Sequence, residues 1–556
     1  MATAKRDGAG THQVSNQATP LAGYNVFDSD RPLLEGLKRE GGGWAEERAR
    51  ALGAVCGSAD VIALGFEANR NEPVLRTHDR FGNRIDEVEF HPSWHELMQL
   101  GVGEGLHAMP WREPGPGAHV ARSALFMLLT QAEAGVGCPL SMTYSAVPAL
   151  RAQPDVAAEW EPRFTALEYD GASKPADDKP GALCGMAMTE KQGGSDVRAN
   201  TTRAEPINGG GAGAEYEITG HKWFCSAPMC DAFLVLAQTD SGISCFLLPR
   251  WTPDGERNRF HIQRLKDKLG NRSNASSEVE FHGAWAQMIG EEGRGVPTII
   301  EMVNHTRLDC VTGSAAGMRA GVANATHHAG HRSAFGKTLI DQPLMQNVLA
   351  DLCVEAEAAT VSALRLARAY DESAAGDEDA REFRRLANAV LKYWICKRAP
   401  NHAVESLECL GGNGYVEESG MPRLFRESPL ASIWEGSGNV QCLDVLRAAI
   451  RNPASVDAFF AEVGEAGTAN PDLESFAAKA REDLGSDPET LETRARRVVE
   501  QMALALQGSL LVRFGDEAVA DAFCASRLGG NWGQAFGTLP AGVDAKRIIE
   551  RHQPLV

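Results

Sequence analysis

No stretch of this 556-residue chain approaches the roughly 18 consecutive apolar residues that a membrane-spanning helix needs. The opening residues, MATAKRDG at 1–8, also lack the apolar core of a secretory leader. Together these absences lead to the expectation of a cytoplasmic protein. The twelve cysteines contain no CxxC pair, and the tightest spacing, Cys225 to Cys230, falls in an apolar, strand-like stretch where buried thiols are common. Structural thiols are therefore expected. A basic excess is missing as well: 55 Lys and Arg face 74 Asp and Glu, a net charge of −19. The chain as a whole repels polyanions, so any nucleic-acid contact needs a local basic stripe. Neither a P-loop nor GxGxxG is present, which removes the main support for a conventional Rossmann or nucleoside-triphosphatase reading.

What is present is a globular composition, 43% hydrophobic and 23% charged, in a chain longer than one core of about 250–300 residues accommodates. From about Arg31 to Pro180 the apolar spacing is mostly helical, as in ARSALFMLLTQAEA at 121–134, and predicts an N-terminal α-helical domain over 1–182. Short β-rich runs then take over, among them AFLVLA at 232–237 and ISCFLL at 243–248, separated by Gly, Pro, Asn and Asp. These predict a compact β domain over 183–293. The helical period returns for a bundle over 294–450, and an acidic, turn-punctuated helical extension follows over 451–556. A sheet bracketed by helical layers makes a natural cleft for a flat cofactor.

Two segments hold the chemistry of such a cleft. In GMAMTEKQGGSD at 185–196, Gly193 and Gly194 let backbone approach a ligand, while Thr189 and Ser195 offer hydroxyls to a pyrophosphate or a ring edge. In GHKWFCS at 220–226, Phe224 can cover a flat heteroaromatic face and Ser226 can bond its edge. Read together, MTEKQGGSD and HKWFCSAP resemble the flavin-binding half of the acyl-CoA dehydrogenase superfamily. Three further segments resemble that family in the expected order: RSAFGK at 332–337, LGGNGY at 410–415 and IWEGSGN at 433–439. The segments RTHDRFGNRIDEVEFHPSWH at 76–95 and LKDKLGNRSNAS at 265–276, with the long C-terminal extension, are similar to its adaptive-response (AidB) branch.

The resemblance implies the acyl-CoA dehydrogenase fold: an N-terminal α-helical domain, a middle β-barrel-like domain, a C-terminal α-helical bundle and an appended α-helical domain. It implies a homotetramer with FAD held by Thr189, Ser195, Phe224 and Ser226, and by Arg332 from a neighbouring subunit. Cofactor contacts are expected also from Met186, Met188, Gly193, Gly194 and Cys225, from Phe335 and Gln342, and from Glu408, Gly411 and Gly412. Around the base they extend to Ile433, Trp434, Gly436, Ser437, Gly438 and Asn439. Glu435 stands at the position of the catalytic base, where a carboxylate of raised pKa removes the α proton of an acyl-CoA thioester. Asn304 and Arg307, in NHTR, are the candidate substrate contacts, although an aspartate is usual at position 304 and its loss weakens the case for coenzyme A. Glu408 replaces a usual glutamine and would face cofactor phosphates as a like charge unless paired.

The adaptive-response branch is associated with protection against DNA alkylation and with double-stranded DNA. Arg447 matches an arginine of its proposed DNA channel, and Arg494, Arg496 and Arg497 add basic residues at helical spacing. No metal site is expected: His327 and His331 are one helical turn apart, but no third ligand completes them, and His91 and His95 flank a proline. Three functions remain open on this reading: an acyl-CoA dehydrogenase, a DNA-associated flavoprotein that deactivates or excludes alkylating agents, and a flavin oxidase or monooxygenase acting on a small metabolite.

Overall fold

The computed structural model describes residues 11–556; the leader reading at 1–8 lies outside them. Helices dominate up to Phe164, with Ala118–Ala132 and Gly137–Leu150 almost wholly buried. One departure from the helical expectation is a hairpin, Val74–His78 with Arg84–Glu89, turned at Asp79 by its own carboxylate, which accepts the Phe81 and Asn83 amides. It is pinned to the β domain by Arg84 on the Ile262 carbonyl, Arg250 on that of Asp86 and Arg257 on that of Ile85. Those partners are about 165–180 residues away in sequence, so local periodicity does not reveal the hairpin.

Strands begin at Cys184–Ala187. Five of them, Arg203–Pro206, Glu215–Ser226, Ser276–Ile289, Gly242–Pro249 and Ala232–Thr239, pair in a closed ring. Cys184–Ala187 adds in parallel to Ala232–Thr239, and Phe260–Leu265 adds to Ser276–Ile289. The ring is barrel-like, as expected, and its strands at 232–237 and 243–248 are buried on both faces or nearly so.

The bundle consists of three long helices, Gly295–His331, Pro343–Ala374 and Glu378–Glu408, with the shorter Met421–Glu427 and Gly438–Arg451 beside them. Asp377 caps the third by accepting the Ala380 amide. Gly321 allows the first to lie close against the third, because a Cβ there would sit 2.8 Å from the Ser406 hydroxyl. The first long helix is tied to the N-terminal helices by Arg122, fully buried, which pairs with Asp309 and donates to the Leu106 carbonyl at 2.6 Å. The extension packs on the outside of this bundle. Glu357 holds Arg551 and His552, and Glu355 holds Arg527 together with Arg398. All twelve cysteines are buried and unbridged.

Candidate active site

The glycine-rich loop after Cys184–Ala187 is drawn onto the barrel by the Trp223 amide, which donates to the Thr189 carbonyl at 2.8 Å. Beneath it, Glu190 and Lys222 form a fully buried pair at 2.8 Å, and the Glu190 carboxylate also accepts the Thr201 and Thr202 amides. Lys222 is drawn below the ordinary lysine range, to about 8, chiefly by burial and against the pull of Glu190. Gly194 folds back over the loop, where a Cβ would meet the Thr189 hydroxyl at 2.4 Å.

Strand alternation sorts the residues of Glu215–Ser226. Phe224, 52% exposed, and Ser226 face a cavity of 1090 Å³, whereas Cys225 points into the barrel core and is wholly buried. The expected cofactor contact at Cys225 is therefore not made by its side chain, which is withdrawn from the cavity. Met186, Met188, Thr189, Gly194 and Ser195 line the same cavity. So do Ile433, Trp434, Glu435, Gly436 and Ser437 from the far wall. Residues distant in sequence thus meet around one space.

Glu435 sits in the left-handed backbone region, φ 58°, which costs a residue with a Cβ of order 1–3 kcal/mol and persists only where neighbours enforce it. The neighbours are visible. Arg307 and Gln441 donate to the Glu435 carbonyl, each at 3.0 Å, and Gln441 also donates to that of Gly436. Lys392, 1% exposed, donates to the carbonyls of Trp434 at 2.7 Å and Gly436 at 2.5 Å. Thr306 donates to the Glu435 carboxylate at 2.7 Å. Burial raises the Glu435 carboxyl above its ordinary value, while Thr306, Lys392 and Arg307 pull the other way.

Thr306 and Lys392 were not foreseen. Thr306 lies inside the NHTR segment, and Lys392 is a lone cation in the apolar run AVLKYWIC at 389–396, which is the signal that could have found it. Asn304 and Arg307 do come together: both line a second cavity, of 330 Å³, with Tyr370, Arg381, Arg384 and Arg385. Arg307 lines both cavities.

Other expected residues stand away from the main cavity. Arg332 lies beside a two-strand turn and donates to the Asn16 carbonyl; Phe335, at the tip, is fully exposed, and Gln342 donates to the Ala334 carbonyl. Gly193, Glu408, Gly411 and Gly412 are exposed, and none of them lines the cavity. Gly438 is buried at the start of Gly438–Arg451, and the Asn439 side chain accepts from Arg496 of the extension. Arg447 is exposed and lines the cavity mouth. Arg494 is engaged internally, donating to Asp483, Ser486 and Thr490, whereas Arg497 is exposed. His327 and His331 bond the carbonyls of Thr19 and His327.

Comparison with known proteins follows the same division. The family model described as the adaptive response protein AidB N-terminal domain matches residues 16–171. The acyl-CoA dehydrogenase middle and C-terminal domain models match 185–284 and 293–450. The AidB protein of Escherichia coli (strain K12) is 43% identical over 518 residues, 92% of this chain and 94% of that one. This chain belongs to the acyl-CoA dehydrogenase family, AidB-like. Members of the family are FAD-dependent oxidoreductases acting on CH–CH donors. Among solved structures, Caenorhabditis elegans ACDH-11 in complex with C11-CoA superposes with a TM-score of 0.86 at 28% identity, covering 94% of each chain. Bd2924 in its apo form superposes at 0.81 with 29% identity, covering 90% of this chain and 99% of that one.

Proposed function

We propose that this chain is an FAD-dependent dehydrogenase that removes the α proton of an acyl-CoA thioester through Glu435. The observation that carries the reading is the shared cavity: a carboxyl of raised proton affinity, clamped by its own backbone, lines the same space as Phe224, Thr189 and Ser226. At 1090 Å³ that space lies above the roughly 300–1,000 Å³ of ordinary ligand pockets, which suits a cofactor and a substrate together. The donor set fits FAD: an exposed aromatic face at Phe224, and hydroxyls at Thr189, Ser195 and Ser226. When bound, FAD supplies the acceptor for the hydride that leaves the β carbon. The Glu435 amide, which meets no carbonyl among the described residues, is available to polarise the thioester oxygen.

Coenzyme A has support that the NHTR segment alone did not give. Arg381, Arg384 and Arg385 gather beside Arg307 in the second cavity, and Arg384 lies 4.7 Å over the Tyr370 ring with no carboxylate at ion-pair distance among the described residues. Guanidinium groups so placed suit phosphate oxygens. The ACDH-11 complex with C11-CoA supports the same substrate class. Exposed apolar side chains at Phe335, Leu344 and Tyr415 support assembly into a homotetramer, in which Arg332 would face a neighbouring subunit.

The test is an absorbance spectrum of the purified, FAD-loaded protein with and without isovaleryl-CoA under argon. Bleaching of the flavin is expected; no reduction by any chain length from C4 to C16 overturns the proposal, and rapid reoxidation by oxygen would favour the oxidase reading instead. We propose as a second use of the fold the contact with duplex DNA that the resemblance to the adaptive-response branch implies; the N-terminal family model places the chain in that branch. The exposed Arg447 and Arg497 are then the contacts to expect, and salt-dependent duplex binding should weaken in Arg447→Ala. Absence of binding at low salt counts against it.

A further inference from the structure

The groups packed around Glu435 differ in whether their charge is matched. From Gly295–His331 come Thr306, Arg307 and Cys310; Arg307 is paired with Asp444 at 3.1 Å. From Gly438–Arg451 comes the neutral Gln441, and Asp444 is shared with Arg385. Cys138 from Gly137–Leu150 and Cys310 both have thiols pushed up by burial, Cys138 to about 12, so neither brings charge at neutral pH. Lys392, from Glu378–Glu408, is different. Its ammonium has no carboxylate at ion-pair distance among the described residues, and both of its hydrogen bonds go to the carbonyls that bracket residue 435.

We propose that Lys392 is the positioning residue of the Glu435 base: its ammonium holds the 434–436 backbone in the left-handed turn that presents the carboxyl, and its uncompensated charge favours the ionised form. This rests on the reading of Glu435 as the base. Burying an ammonium is costly unless it is hydrogen-bonded, and here two of its three protons go to backbone oxygens on either side of one residue. Such a clamp fixes the turn in two places. Gln441 grips the Gly436 carbonyl as well, together with that of Glu435, and does so without charge, so position and charge can be separated by mutation.

The experiment compares Lys392→Met, which removes both functions, with Lys392→Gln, which keeps a neutral donor, and with Lys392→Arg, which keeps the charge. FAD content and cooperative unfolding are measured first; where Lys392→Met does not fold, Lys392→Gln takes its place. Flavin reduction by acyl-CoA should slow about 100-fold in Lys392→Met, the scale of a misplaced reacting group. Deprotonation without hydride transfer is read from the charge-transfer band of a 3-thia-acyl-CoA against pH. In Lys392→Met and Lys392→Gln that titration should move to higher pH, and in Lys392→Arg it should stay near the parent. A crystal structure of Lys392→Met should show residue 435 out of the left-handed region. A variant with full FAD whose rate is within twofold of the parent, whose titration is unmoved and whose turn is intact overturns the proposal. If the parent itself is reduced by no acyl-CoA, the base reading fails, and the turn in the variant's structure still decides whether Lys392 positions it.

Discussion

Glu435→Gln should retain yellow, fully FAD-loaded protein yet reduce the rate of flavin bleaching by acyl-CoA by about 10²–10⁴-fold, the usual worth of a positioned general base. Glutamine is nearly isosteric, its side-chain oxygen can still accept from Thr306, and the clamps from Arg307, Gln441 and Lys392 act on backbone carbonyls that the substitution leaves in place. A loss of activity with FAD intact therefore reports the missing base and not a collapsed site. In the parent protein the same carboxyl sets the pH dependence. Desolvation holds its proton affinity above the ordinary carboxylate range, so the ionised, active fraction is small in acid and grows as pH rises. The reduction rate should climb with pH through a limb above the usual glutamate value, and that limb should vanish in Glu435→Gln. Stopped-flow reduction across pH checks both. Wild-type rates in the variant would remove Glu435 from the mechanism.

The second large effect concerns stability. Asp309→Ala should destabilise the protein by about 3–5 kcal/mol, because it strands a buried charge. Arg122 is fully buried, lies 4.0 Å over the Tyr144 ring and has Asp309 as its only carboxylate at ion-pair distance among the described residues. The pair joins Ala118–Ala132 to Gly295–His331, the helix that also positions Thr306 and Arg307 at the site. Replacing both partners with apolar residues, Arg122→Met with Asp309→Leu, should recover much of the loss, since the cost comes from the unpaired charge. Thermal unfolding of the single and double variants measures it; a single variant within about 1 kcal/mol of the parent contradicts the assignment.

How far the site could be read in advance depends on whether its parts are contiguous. Thr189, Ser195, Phe224 and Ser226 lie in two short segments whose glycines, hydroxyls and aromatic announce a ligand, and Glu435 lies in a third. The switch from helical periodicity to short β-rich runs near residue 184 is equally legible, because barrel strands such as Ala232–Thr239 are unbroken apolar runs bounded by turn residues. The Cys225 side chain faces away from the cavity because a strand turns alternate side chains to opposite faces, whereas a motif names neighbours together. A lone cation in an apolar run marks Lys392 as unusual, but its role is not legible, because it acts on carbonyls more than 40 residues away and carbonyls have no sequence signature. Arg494 looked like a free cation on a helix, but the end of the preceding helix supplies carbonyls for its guanidinium. Long-range hydrogen bonds to backbone are what periodicity cannot report.

A crystal structure of the FAD-loaded protein with a non-reducible acyl-CoA thioether is the most direct test. The isoalloxazine should lie against Phe224 and Ser226, with the ligand's α carbon between it and the Glu435 carboxyl at hydrogen-bonding reach. A flavin bound elsewhere, or a ligand whose reactive carbons lie beyond the reach of residue 435, would contradict the account.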